Sequence, residues 1–141
     1  MEQWEVIYFK DDDGRVHAEE FLDSCPPKVE AKLLAVLDAV AESPPPKFSG
    51  GGMWEAMHGE MGGYFEVRGQ GPNREQFRLF CLLENPDQEE LSRLGLRRPT
   101  IAVITGLRKP WMTAFSKKDY AGVRALGDRY KSRRPRRIAE P

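Results

Sequence analysis

The spacing of apolar and polar residues predicts a strand, two helices, three strands and a last helix. Trp4 to Phe9 (WEVIYF) joins aromatic and β-branched residues in a short run, and the charged turn DDDGR closes it. His17 to Ser24 supports a short helix that turns Phe21 and Leu22 inward. Pro26 and Pro27 interrupt it and open a second helix, where a missing N–H does no harm. Val29, Leu33, Val36, Leu37 and Val40 then recur at helical spacing through about Glu42. Ser43-Pro-Pro-Pro46 stops that helix, and Ser49-Gly-Gly-Gly52 prolongs the irregular connection.

Tyr64 to Gly69 (YFEVRG) and Phe77 to Leu83 (FRLFCLL) read as two strands, with GQGPNREQ as their hairpin loop. The polar stretch from Glu84 to Pro99 is long for a strand connection and is expected to be mobile. Ile101 to Thr105 (IAVIT) gives a further strand. A closing helix begins near Ser116, where Ser116-Lys-Lys-Asp119 has capping-box form, and Tyr120, Val123, Leu126 and Tyr130 repeat along it. Gly122 and Gly127 weaken that helix by roughly 1 kcal/mol each relative to Ala. RRPRRIAEP has no apolar pattern and reads as a disordered basic tail. The expected organisation is one α+β domain over residues 1–131, built on an antiparallel sheet, followed by a tail over 132–141.

At 141 residues the chain can bury one core. No apolar stretch approaches the roughly 18 residues of a membrane-spanning helix. The opening MEQWEVIYFKDDD has neither a basic start nor an apolar signal core, so the expectation is a cytoplasmic protein. Cys25 and Cys81 read as small buried thiols rather than as a disulfide or a metal pair. Asp11, Asp12 and Asp13 read as a tight solvated turn rather than a cation site.

A net charge of zero conceals an asymmetry. Residues 1–66 carry five Lys and Arg against fourteen Asp and Glu, whereas residues 67–141 carry seventeen against eight. Either the C-terminal half builds a polyanion-binding surface, or the halves neutralise each other across the fold.

Strand alternation sorts the side chains by face. Phe65 and Val67 point one way, and Tyr64, Glu66 and Arg68 the other. Phe77, Leu79, Cys81 and Leu83 form an apolar row, leaving Arg78, Phe80 and Leu82 opposite. A hairpin centred near Asn73 makes Arg68 and Arg78 cross-strand neighbours. Facing like charges cost stability unless an anion separates them. A phosphate would do so by paired, charge-assisted hydrogen bonds, and so would Glu66 or another acid.

In this order and with these residues, three stretches resemble the RelE/ParE toxin superfamily, in particular its phage-derived, HigB-like branch. They are EVIYFKDDDGR with EEFLDSCPPKVEAKLLAVLDAVAE; MWEAMHGEMGGYFEVR with FRLFCLL; and ITGLRKPWMTAFSKKDYAGVRALGDRY. Together they cover most of residues 5–131. Where that family commonly shows several lysines, this chain has Arg108 and Lys109, then Pro110 and Trp111.

The resemblance implies a RelE-like fold and a ribosome-dependent mRNA endoribonuclease that needs no metal or other cofactor. Its partners would be a cognate helix-turn-helix antitoxin, mRNA on the ribosome and, only through the antitoxin, operator DNA. Arg68 and Arg78 are the candidates for holding the scissile phosphate, with Lys109 assisting from the end of the last strand. His58, in MHGE, is the candidate acid–base group, because histidines as a class titrate near neutral pH. Arg108, Lys117 and Tyr130 are candidates for RNA contact, although the spacing of Tyr130 also fits packing. Trp54 and Trp111 could stack on nucleotides or pack. The rival functions are a ParE-like poison of DNA gyrase and a catalytically silent member that only binds its antitoxin.

Overall fold

The structure, a computed structural model, describes residues 3–43 and 52–141. The segment expected to stop the second helix and continue irregularly, 44–51, lies outside the described residues. Six strands and four helices are described: β1 Glu5–Phe9, α1 His17–Ser24, α2 Pro27–Glu42, β2 Trp54–Ala56, β3 Tyr64–Gln70, β4 Gln76–Glu84, α3 Gln88–Arg93, β5 Thr100–Lys109, α4 Lys117–Lys131 and β6 Ile138–Ala139. The strands form one sheet in the order β2-β3-β4-β5-β1-β6.

The α+β class is as expected, but the sheet is mixed rather than antiparallel. β1 runs parallel to β5, with Val6 opposite Ile101 and Tyr8 opposite Val103, while the other pairings are antiparallel. Alternation marks a strand but is silent about its neighbour's direction. β1 lies next to the short edge strand β6 but is covered on both sides: Tyr8 faces one core, and Ile7 and Phe9 face the other. A strand covered on both sides suits a parallel neighbour.

The first core lies between the sheet and the α1–α2 pair. The α2 stripe Val29, Leu33, Leu37 and Val40 meets Val67, Phe77, Leu79 and Cys81, with Phe65 partly buried beside them. These are the rows that alternation assigned to one face. The second core lies under α4, where Val123 and Tyr130 meet Tyr64, Phe80, Leu82 and Ile104. Two glycines permit close approach. A Cβ at Gly127 would lie 1.8 Å from the Tyr64 hydroxyl, and one at Gly106 would lie 2.2 Å from the Phe21 ring. Gly127 therefore weakens α4 as an isolated helix but lets it seat on Tyr64.

The capping box at Ser116 forms in full: the Asp119 N–H donates to Ser116 Oγ at 3.0 Å, and the Ser116 N–H donates to Asp119 Oδ2 at 2.8 Å. Both cysteines are free and buried. No helix among the described residues is long and apolar enough to cross a membrane.

Two polar segments are more ordered than their composition predicts. The stretch expected to be a mobile loop contains α3, capped by the Asp87 carboxylate, which accepts from the Glu90 N–H at 2.9 Å. Leu91, Leu94 and Leu96 form a small buried cluster with Ile138 against it. The segment 132–141, expected to be a disordered tail, adds β6 to the sheet edge, with Ile138 opposite Phe9 and Ala139 opposite Tyr8. Arg136 anchors it through two bonds to Glu84, at 3.2 and 3.0 Å.

Candidate functional site

The β3–β4 hairpin places Arg68 directly opposite Arg78, in the register that a turn centred near Asn73 requires. Leu107 of β5 follows in the same row. Both arginines stand on the α4 face of the sheet, in the alternation that puts Tyr64 and Phe80 there. Arg68 is 42% exposed and Arg78 only 12%.

Glu66, almost buried, is their counter-ion. Its carboxylate accepts from Arg68 Nε at 2.8 Å and lies 3.8 Å from Arg78 Nε. Arg78 also donates to the Phe77 carbonyl at 3.1 Å and to Gln76 Oε1 at 3.2 Å. Burial lowers the pKa of Arg78, the Glu66 charge opposes that shift and the Arg68 charge adds to it. The acid that the sequence left as one explanation of the pair is therefore present. Two guanidiniums share one carboxylate, so the cluster keeps an excess positive charge.

Tyr120 completes the group, although the sequence marks it only as one position of the α4 repeat. Its ring meets Phe80 edge-on at 6.2 Å and Phe115 at 5.9 Å. Burial first, and then the Glu66 charge, raise its pKa, while Arg78 and Arg68 lower it. Its phenol thus senses all three members of the ion cluster and stays protonated at neutral pH. Tyr120 also lines a groove of about 300 Å³ with Met57, His58, Glu60, Met61, Lys117 and Arg124. A smaller pocket of about 190 Å³ is lined by Lys32, Gln70, Gln76, Arg68 and Arg78.

His58 is exposed and shares the groove with Lys117 and Tyr120. No hydrogen bond among the described residues ties it to the arginines. Lys109 lies two residues beyond Leu107 on the same face; its ammonium donates to the Thr113 carbonyl and sits 5.2 Å over the Phe115 ring.

Two expected RNA contacts lie elsewhere. Arg108 is on the opposite face, doubly bonded to Glu75 at 2.8 and 2.9 Å and 4.7 Å over the Phe77 ring. Tyr130 is fully buried, edge-on to Phe9, with its hydroxyl donating to Glu84. It cannot meet a nucleotide from there; packing is the role it fills. Trp54 is likewise buried, stacked on Phe65 at 5.0 Å. Among the three acids of the first turn, Asp11 is bound by His17 at 2.7 Å and by Arg129 at 2.8 and 3.0 Å, and Asp12 pairs with Arg133.

Chemically, the cluster offers fixed cations, a protonated phenol and a nearby imidazole around open grooves. That set can hold a phosphodiester and move protons at it. Compared with family models, curated proteins and solved structures, the chain matches none, so the functional reading rests on residues and geometry.

Proposed function

We propose that the chain is a toxin of the RelE/ParE kind, a ribosome-dependent mRNA endoribonuclease that acts in the cytoplasm and is silenced by a helix-turn-helix antitoxin. The observation that carries the reading is the cross-strand Arg68–Arg78 pair on one face of the sheet, with Tyr120 packed on Phe80 of the same face. The ordered resemblance of three sequence stretches supports it independently.

In the proposed reaction the 2′-oxygen attacks the adjacent phosphorus, the bond to the 5′-oxygen breaks, and a 2′,3′-cyclic phosphate forms. The 2′-hydroxyl proton must leave, and the departing 5′-oxygen must gain one. Arg78 and Arg68 stabilise the charge that develops on the phosphoryl oxygens, commonly the largest single contribution to such catalysis. Tyr120, protonated at neutral pH, supplies the proton to the leaving oxygen. His58, in the same groove, takes the proton from the 2′-hydroxyl. A positioned acid or base contributes about 10²–10⁴-fold.

One observation favours a second reading. Glu66 already engages Arg68, as it would in a silent member that only binds its antitoxin. The two readings separate on inducing the chain alone in bacteria and mapping the 5′ ends of transcripts. Growth arrest with new 5′ ends is expected for the native chain. Arg78→Ala should lower cleavage by about 10²-fold while the protein melts as a folded domain. Full toxicity in a folded Arg68→Ala/Arg78→Ala variant would remove the site, and unimpaired growth with the native chain would leave the silent reading.

A further inference from the structure

The turn between β5 and α4 carries two large apolar side chains out into solvent. Trp111 is 49% exposed and Met112 81%. The turn is nonetheless ordered: Thr113 Oγ1 donates to the Pro110 carbonyl at 2.7 Å, and the Lys109 ammonium donates to the Thr113 carbonyl. Met112 is held at φ +62°, a conformation that costs energy for a residue with a side chain. Neither side chain joins a buried apolar cluster.

The tip of the β3–β4 hairpin reaches the same place. Arg74, also at positive φ, lays its guanidinium 4.5 Å from the centre of the Trp111 ring. One ring face is thus backed by a cation, and much of the ring remains open. The chemical surroundings are cationic. From Thr105 to Lys118 the chain has no Asp or Glu but carries Arg108, Lys109, Lys117 and Lys118. The nearest acid on the hairpin tip, Glu75, is already held by Arg108.

Position links this platform to the arginine pair. The rung Arg68–Arg78–Leu107 is followed, two residues on, by Gln76–Lys109 on the same face. Arg74 and Trp111 lie two residues further along each chain. The first step spans about 7 Å along the strands, and Arg74 and Trp111 stand in the turns just past the strand ends. A polyanion fixed at Arg68 and Arg78 and running toward the hairpin tip would bring its next units over Trp111.

We propose that Trp111, backed by Arg74, is a stacking platform for an unpaired nucleobase of an RNA strand whose phosphate lies at Arg68 and Arg78. The proposal rests on the RNA reading of that arginine pair. A flat aromatic face among fixed cations is what a single-stranded nucleic acid uses, because every base has a π-face and stacking tolerates sequence. An acidic or apolar protein partner is the competing occupant.

The test is binding of a short single-stranded 2′-O-methyl oligoribonucleotide, which cannot be cleaved because its 2′-oxygen carries no proton. Trp111 is the solvent-facing indole beside the cations, so binding should quench the protein's emission. Trp111→Leu should remove most of that quenching and weaken binding about tenfold or more, whereas Trp111→Phe should bind nearly as the native protein does. An oligonucleotide with one base removed at the stacking position should bind native protein as weakly as the complete strand binds Trp111→Leu. It should bind Trp111→Leu no more weakly still. Melting temperatures of the three proteins should agree within a few degrees, since Trp111 joins no buried cluster and loses only the contact with Arg74.

The outcomes separate the two claims. If Arg68→Ala/Arg78→Ala binds the strand as the native protein does while Trp111→Leu does not, the platform stands and the phosphate site falls. If Trp111→Leu binds the strand with native affinity, the platform is wrong, whatever the arginines do. The platform is equally wrong if Trp111→Leu disrupts only association with a co-expressed protein or a second copy, and the surface is then a protein interface.

Discussion

Glu66 holds two arginines that would otherwise repel each other, and its burial makes the arrangement costly to disturb. Its side chain is 9% exposed and that of Arg78 12%, so their charges are poorly hydrated, whereas Arg68 at 42% is screened by water. Glu66→Gln should therefore destabilise the protein by about 2 kcal/mol, mostly through Arg78. The same variant leaves two guanidiniums with no carboxylate, so inorganic phosphate should raise its melting temperature more than that of the native protein. Denaturant titration with and without phosphate checks both parts. Equal stabilisation of the two proteins would show that the pair has no place for an anion. The pair itself was legible, because alternation and a turn centre define register. Tyr120 was not. Tyr120 and Tyr130 fall on the same broad side of α4, about 80° apart, and the strands beneath each end of the helix decide which is buried. Phe9 and Glu84 enclose Tyr130, whereas Tyr120 overhangs the ion cluster.

At the scale of elements, the parts that composition concealed are held by contacts between distant residues. The α3 segment has an N-cap, Asp87, and Leu91, with Leu94 and Leu96 just after the helix, but the polar background masks these apolar positions. The end of the chain has no local signal; its order comes from Arg136 meeting Glu84 across 52 residues. That pair is almost buried, with side chains 8% and 12% exposed, and Tyr130 donates to the same carboxylate. Arg136→Ala should cost about 3 kcal/mol by leaving the Glu84 charge buried without a counter-charge, held only by the Tyr130 hydroxyl. Glu84→Leu/Arg136→Leu, which removes both charges, should cost less than the single change. Denaturant midpoints of the three proteins decide it; a single change that costs no more than an average surface substitution would mean that the pair does not anchor the segment.

A second long-range tie joins the β1–α1 turn to α4. Hydrogen bonds from Arg129 hold the Asp11 carboxyl well below the usual carboxylate range, against the effect of burial, and the bond to His17 lowers it further. A carboxyl depressed in the folded state adds stability that is present above its unfolded value, about 3.9, and is lost as pH falls towards the folded value. The native protein should therefore lose stability between about pH 4 and the acid end of its range. Asp11→Asn should be less stable at neutral pH and lose less on acidification to about pH 3. Parallel pH curves for the two proteins would show that this carboxyl does not contribute.

Over the whole molecule, the opposite charges of the two halves are in part paired with each other. Glu5 pairs with Arg97, Glu60 with Arg124, Asp11 with Arg129 and Asp12 with Arg133, each joining the acidic half to the basic half. The charge split visible in the sequence thus reports in part how the fold closes, and the unpaired share is left for solvent or a ligand. Within the proposed site that share is Arg68, Arg78, Lys109 and Lys117, partly offset by Glu66. Binding of a single-stranded oligoribonucleotide should accordingly be modest and only moderately sensitive to salt. About four neutralised phosphates give a slope of roughly −3 for log affinity against log salt, since each contact on a single strand releases about 0.7 of a counter-ion. Removing Arg78 should reduce the slope by about 0.7, and removing Arg97 or Arg133, whose charges are already paired, should leave it unchanged. Fluorescence anisotropy across a salt series measures all three. A slope twice as steep, or one that Arg133→Ala reduces as much as Arg78→Ala does, would mean that the polyanion follows the paired surface instead of the hairpin arginines.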